Sequence, residues 1–283
     1  MKQQIESVGI IGFGSMGQFM AERMFEGSEV VVHDPFMQAE HEPHITAEKR
    51  AAIDRAAFVS MGEIASSEAI VLAVPAKSLK PAIVGIAEAV SVNKNNPLIV
   101  DVCSVKEYPS NLFKWLLGGH EEILLSHPLF GPQSAKDSME GRELIVTETK
   151  GDKAEDLLQR WQQLGLKRLN MSAARHDEEM AAVLGMPSML GRLAASNDTF
   201  VNPFHMFGKQ LVTPGLEALR RLIRLDYAHS DELFETIVAF NPYAQDALAQ
   251  IIKRAHTIQE QITENGVQLL LSEAKEGAAD SIR

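Results

Sequence analysis

Ser7-Val8-Gly9-Ile10-Ile11-Gly12-Phe13-Gly14-Ser15-Met16-Gly17 is the stretch that decides the fold. An apolar run from Ser7 to Ile11 reads as a buried strand, and Met16 to Phe25 follows it with helical spacing. Between them Gly12 suits a tight turn, Gly14 lets the backbone approach a pyrophosphate, and Gly17 permits close helix packing. Phe13, Ser15 and Met16 complete the loop that would line a dinucleotide, with helix-terminal amides facing its phosphates. Asp34 ends the second strand, Glu29 to His33, where a carboxylate accepts hydrogen bonds from an adenosine ribose and repels a 2′-phosphate. The pattern therefore predicts NAD rather than NADP. Val74-Pro75 ends a later strand where such folds line the cofactor crevice, although a plain strand-terminating proline reads equally well.

Strand and helix patterns alternate as far as Asn170. Further strands are expected at 56–59, 69–74, 98–102, 123–126, 144–147 and 167–170, with helices over 78–90 and 153–164. This predicts an α/β fold, a Rossmann-type doubly wound and mostly parallel sheet with helices on both faces. Beyond Met171 helical spacing takes over. The expected division is a nucleotide-binding domain over 1–171 and an all-helical domain for substrate and dimerisation over 172–283. Met180, Val183, Leu184, Leu190 and Leu193 form a helical stripe read as core or subunit contact, with Pro187 a kink. Residues 36–55 read as a polar loop and a short helix. His41 and His44 within it flank a proline and lack further ligands, so no metal is expected.

The net charge of −11 over 283 residues argues against nucleic acid, which requires a basic stripe. It also means that a small anionic substrate would need a local arginine or lysine cluster. The single cysteine, Cys103, excludes an internal disulfide framework and suits a reducing compartment. Lys2-Gln3-Gln4 leads straight into a strand and no apolar run approaches membrane-spanning length, so a cytoplasmic protein with no membrane partner is expected.

Reacting groups are expected in Ser126-His127-Pro128-Leu129-Phe130-Gly131-Pro132. The strand Ile123-Leu124-Leu125 fixes its entry, the prolines restrict the backbone, and Gly131 allows an unusual dihedral, so the His127 imidazole is aimed. Asp101-Val102-Cys103-Ser104-Val105-Lys106 closes another strand at the same carboxyl edge, where ligands bind in open parallel sheets. Ser104, Lys106 and His127 could converge there. Each has a plainer reading: Ser104 as a helix cap, Lys106 as a solvated first-turn residue, Asp101 as a strand-end hydrogen bonder. His176-Asp177 looks like an acid-base pair, but its place at a helix start favours capping. Trp115 and Trp161 read as core, and His33 as a packing residue.

Taken together, these residues resemble the prephenate and arogenate dehydrogenases of tyrosine biosynthesis. The likeness runs through Gly12, Gly14, Gly17, Asp34, Asp101 to Lys106, the His127 run and His176-Asp177, and the Ser-His-Pro-Leu-Phe-Gly-Pro run is its specific part. It implies NAD-dependent oxidation of the ring hydroxyl of prephenate with loss of carbon dioxide, giving 4-hydroxyphenylpyruvate. It also implies His127 as the partner of that hydroxyl, with Ser104 as helper. Two positions depart from the family. Where many relatives place a substrate-facing histidine, this chain reads Met186-Pro187-Ser188, leaving Ser188 as the substitute. The family's carboxylate-binding arginine has three candidates, Arg220, Arg221 and Arg224, of which Arg224 is preferred; Lys106 is a further substrate contact. Arogenate and the 4-amino analogue of prephenate stay open as substrates, and a homodimer through the helical domain is expected. A 3-hydroxyacid dehydrogenase shares the glycine-serine-methionine-glycine opening but needs a lysine on the long helix, and 176–197 holds none. A nucleotide-sensing module without turnover is the reading from another class.

Overall fold

A buried parallel strand must be apolar on both of its faces, and this chain supplies such runs repeatedly. The computed structural model describes residues 5–35, 57–195, 213–228 and 230–280; His41, His44 and the polar loop lie outside them. One sheet of eight strands runs β3-β2-β1-β4-β5-β6-β7-β8. The strands are β1 (Ser7–Ile11), β2 (Glu29–His33), β3 (Ala57–Phe58), β4 (Ala69–Leu72), β5 (Leu98–Asp101), β6 (Ile123–Pro128), β7 (Glu143–Lys150) and β8 (Lys167–Asn170). Alternate residues feed the two faces. Val8, Ile10, Val71, Val100 and Leu124 pack with Phe25 and Trp161, whereas Ile11, Leu72, Ile99 and Leu125 pack with Ile83 and Phe113.

The chain leaves β1 for β2 and β3, then returns to place β4 on the other side of β1. That reversal opens a crevice beyond the carboxyl ends of β1 and β4, the place where doubly wound sheets bind ligands. Two helices link the strands on the β4 side: α3 (Ala76–Asn93) and α4 (Glu107–Leu116). No helix is assigned between β6 and β7, and β7 turns back antiparallel. Helix α5 (Asp152–Gln163) then sets β8 parallel to β7. The preceding helices are α1 (Ser15–Phe19), which runs on as a π turn through Met24, and α2 (Met61–Ile64).

After β8 every described element is helical: α6 (Ala173–Met180), α7 (Met186–Ala195), α8 (Pro214–Ala228), α9 (Asp231–Ala239) and α10 (Pro242–Asp280). A π turn, Ala181–Gly185, joins α6 to α7 with the Met186 N–H reaching back to the Ala181 carbonyl. Pro187, which has no N–H to give the preceding turn, sits directly after it. Three stripe residues depart from a core reading: Met180 is buried, but Val183, Leu190 and Leu193 are exposed. Trp115 departs further. It is 69% exposed, under the Lys80 ammonium, whereas Trp161 is buried edge-on against Phe25. Among the described residues no helix is long and apolar enough to cross a membrane. The helical layer is tied to the sheet layer by the Ala76 N–H donating to Thr236 Oγ1 at 3.2 Å and by Lys77 between Glu232 and Glu235.

Candidate active site

The turn after β1 shows why two of its glycines are required by the protein itself. Gly12 has φ +90°, and a Cβ there would lie 2.6 Å from the Ala73 carbonyl oxygen and 2.7 Å from Val74 Cγ1. A Cβ on Gly17 would run into the Gly12 carbonyl. At Gly14 a Cβ would meet nothing within 4 Å. Among the described residues no packing partner therefore asks for glycine at position 14, and the space in front of it suits a group approaching from outside the fold. Asp34 braces this loop: its Oδ2 accepts the Phe13 N–H at 2.7 Å, and the Gly12 N–H donates to the His33 carbonyl at 3.0 Å. Ser15 is exposed and Met16 half-buried at the start of α1. Pro75 is the N-cap residue of α3, directly after the Val74 that touches the Gly12 turn. The Phe13 ring is buried edge-on against Phe58, its N–H goes to Asp34 and its carbonyl accepts from Gln18 Nε2, so it shapes the loop.

His127 lies inside β6, near its carboxyl end, because the strand runs on past the expected 126 to Pro128, and it pairs with Ile145 of β7. The ladder shifts register between Leu125 and Ser126, and such a bulge re-aims the side chains that follow it. Neighbouring Ser126 donates its hydroxyl to the Asp101 carbonyl at 3.2 Å. Gly131, expected in an unusual dihedral, has no positive φ. His127 is 5% exposed, and its Nδ1 stands 2.8 Å from His176 Nε2. Its Nε2 makes no hydrogen bond among the described residues. The buried polar atoms left unpaired there are Asn95 Oδ1 and Trp161 Nε1. Nε2 is not one of them, so the small exposed part of His127 includes this atom.

His176 does not cap α6, although its place in the sequence favours capping. The cap of α6 is Ser172, whose hydroxyl accepts the Arg175 N–H. His176 and Asp177 are both fully buried, with His176 Nδ1 2.7 Å from Asp177 Oδ1. Asp177 does cap a helix, but a different one: it accepts the N–H groups of Lys106 (2.7 Å) and Glu107 (2.9 Å) at the start of α4. A carboxylate there satisfies otherwise orphaned amides and faces the positive end of the helix dipole, worth about 1 kcal/mol. Asn241 holds the Asp177 carbonyl through Nδ2 and caps α10 through Oδ1. Sequence spacing gave no signal for this assembly. The only local hint was a histidine next to an aspartate.

Lys106 is neither a solvated residue nor free for substrate. It is fully buried, its ammonium ion-paired with Asp101 and donating to the Ser126 carbonyl at 2.6 Å. Burial raises the Asp101 carboxyl and Lys106 opposes it. Whichever partner holds the proton, the pair adds no net charge. Burial also pushes the His127 imidazole well below its usual range, helped by His176 and Lys106, and lowers His176 against the pull of Asp177. The thiol of Cys103 is pushed up to about 12 by burial and is inert. Ser104 is half-buried on the loop between β5 and α4, where Lys106 holds the cap position instead. Ser188 is buried on α7 with its hydroxyl unpartnered among the described residues. Arg224, exposed on α8, stands 4.0 Å from Glu217, while Arg220 is more covered and 3.6 Å from the same residue. No described contact joins Ser188 or Arg224 to His127.

Residues 35–167 match the family model described as prephenate dehydrogenase, nucleotide-binding domain. The chain is 25% identical over 279 residues to arogenate dehydrogenase 2, chloroplastic, of Arabidopsis thaliana, covering 92% of this chain and 71% of that protein. Arogenate dehydrogenase 1, chloroplastic, of the same plant is 24% identical over 90% of this chain, which spans 39% of its length. The fold is shared with the prephenate dehydrogenase of A. aeolicus solved with hydroxyphenyl propionate and NAD+: TM-score 0.64 at 20% identity, over 100% of this chain and 99% of that one. The matched span carries Ser104, His127 and the strands that bring them to one edge, so the part of the chain similar to the prephenate dehydrogenase nucleotide-binding domain is the part that holds both residues.

Proposed function

We propose that the chain catalyses the NAD-dependent oxidative decarboxylation of prephenate to 4-hydroxyphenylpyruvate. The observation that carries this reading is His127: its Nδ1 is tethered inside the protein while its Nε2 reaches accessible space. NAD, when bound, supplies the hydride acceptor. The open approach at Gly14 and the carboxylate of Asp34 fit its pyrophosphate and ribose, and Ser15, Met16, Val74 and Pro75 stand around the same crevice. His127 Nε2 accepts the ring hydroxyl proton as that carbon loses hydride, so positive charge does not build on the carbinol. Loss of the ring carboxylate as carbon dioxide then leaves an aromatic ring. Ser104, on the loop after β5, assists in orienting the hydroxyl. Ser188 is the candidate for the substrate side chain.

Arg224 is assigned to a substrate carboxylate. Its side chain is exposed and only loosely held by Glu217, so a bidentate partner can displace that contact at little cost. A homodimer through the helical part, residues 172–283, is supported by exposed Val183 on the π turn, Leu190 and Leu193 on α7, and Ile252 and Ile262 on α10. The single cysteine, being buried, fits a reducing cytoplasmic setting.

Arogenate is the second reading, favoured by the two Arabidopsis relatives. It differs from prephenate in the side chain and not at the ring hydroxyl, so the work of His127 is the same. Appearance of NADH with prephenate, arogenate and the 4-amino analogue supplied in parallel separates the readings. Turnover of prephenate above the others is the expected result; NADH from none of the three dienes would overturn the proposal.

A further inference from the structure

We propose that His176 and Asp177 are positioning residues that hold His127 as its Nδ1-protonated tautomer, leaving the Nε2 lone pair for the substrate hydroxyl. The inference rests on the assignment of His127 as the base and adds how its protonation state is set.

The argument runs from the fixed donors outward. Backbone N–H groups have no choice of role, and two of them, from Lys106 and Glu107, point at Asp177. Asp177 is therefore an acceptor toward α4, one carboxylate oxygen to each amide. The contact from His176 Nδ1, at 2.7 Å to Oδ1, must then be a third donation to the same carboxylate. A neutral His176 protonated on Nδ1 presents a bare Nε2. That nitrogen lies 2.8 Å from His127 Nδ1, so the proton between them belongs to His127. Neutral His127 carries one ring proton, and its Nε2 is left as an acceptor on the accessible side.

Free imidazole side chains favour the opposite tautomer, so the relay has a job to do. It also supplies charge where it is needed. Asp101 and Lys106 cancel each other beneath β6, and Asp177 is the carboxylate left over in this buried group. When His127 takes up a proton, that anion stabilises the imidazolium through His176 without having to move. Asp177 belongs to α6, and the amides that orient it belong to α4, so the base is set only when the two parts of the molecule are docked.

The full-length protein labelled with ¹⁵N-histidine, without nucleotide or substrate, tests this directly by long-range proton–nitrogen correlation. The His127 signals are identified by their loss in His127→Asn. Expected at neutral pH is a protonated Nδ1 and a bare Nε2 on His127, with His176 protonated on Nδ1. His176→Ala should shift His127 toward the Nε2–H form. It should also lower turnover by roughly 10²-fold with nucleotide affinity unchanged, and added imidazole should restore part of it. His176→Gln, whose amide can donate to Asp177 and accept from His127, should keep the tautomer and most of the activity, and serves if the alanine variant does not fold. An Nε2–H or doubly protonated His127 in the wild type, or a spectrum unmoved by His176→Ala, would overturn the relay. The expected tautomer with no turnover of any diene would leave the relay standing and remove the proposed reaction.

Discussion

The two ends of the proposed active site are built in opposite ways. The glycine turn and its brace come from one contiguous unit, Gly12 to Asp34, whose parts find each other through a single strand-helix-strand passage. The histidine centre comes from β6, from the cap of α4 and from α6, so that His127 meets His176 across 49 positions and Lys106 meets Asp177 across 71. The first is specified by local backbone geometry. The second is a buried polar network in which each group's role depends on a partner from elsewhere, so it exists only in the docked molecule.

The sharpest way to break this comparison is His127→Asn. Turnover should fall by roughly 10²- to 10⁴-fold while nucleotide affinity, measured by titration, stays within about twofold. Equal loss of both would mean that the two ends are not separable. Gly17→Ala attacks the other end. A methyl group against the Gly12 carbonyl has nowhere to go, so the turn must open; about 2 kcal/mol of stability and most nucleotide affinity should be lost. An alanine variant with wild-type nucleotide affinity would show that the turn is not fixed by this contact.

Arg224→Ala lies outside both ends and should raise KM for the diene at least tenfold, about 1.4 kcal/mol, with kcat little changed. An unaltered KM moves the carboxylate contact to Arg220 or Arg221. The smallest effect concerns pH. His127 and His176 are both held below the ordinary imidazole value of about 6.5. Their contribution to stability is therefore complete above that value and lost as pH falls toward the folded-state values, because the unfolded chain binds the protons first. Tm should decline on acidification below about pH 6.5, and the decline should be shallower in His127→Asn. Identical slopes would argue that neither imidazole is kept neutral by folding. The acid limb of kcat/KM should lie below the same value, since His127 must be unprotonated to act.

Local pattern read the glycine-turn end well. The strand at 7–11 falls where the apolar periodicity puts it, because a parallel strand buried on both faces leaves little freedom in composition; those at 29–33 and 167–170 also fall where they are expected, although 167–170 is a mostly exposed edge strand. The bulge at Leu125 and Ser126 was invisible, since register depends on the partner strand and not on the run itself. Trp115 misled for a related reason: aromatic area usually seeks the core, but this ring is 69% exposed on α4 with only the Lys80 ammonium over it among the described contacts. Lys106 misled in the other direction, because a lysine enters the interior only when a carboxylate is waiting there, and Asp101 is.

What the sequence by itself determined is therefore the alternating fold, the turn that demands glycine at 12 and 17, and the presence of a histidine at the carboxyl edge of the sheet. These follow from chain sterics and apolar burial, which act over a few residues. Only the tertiary structure decided which imidazole nitrogen faces outward, which helix Asp177 caps, and that Lys106 is spent inside the protein. Hydrogen-bond roles and charge compensation are properties of pairs, and the pairs here are formed by docking a helical layer against a sheet.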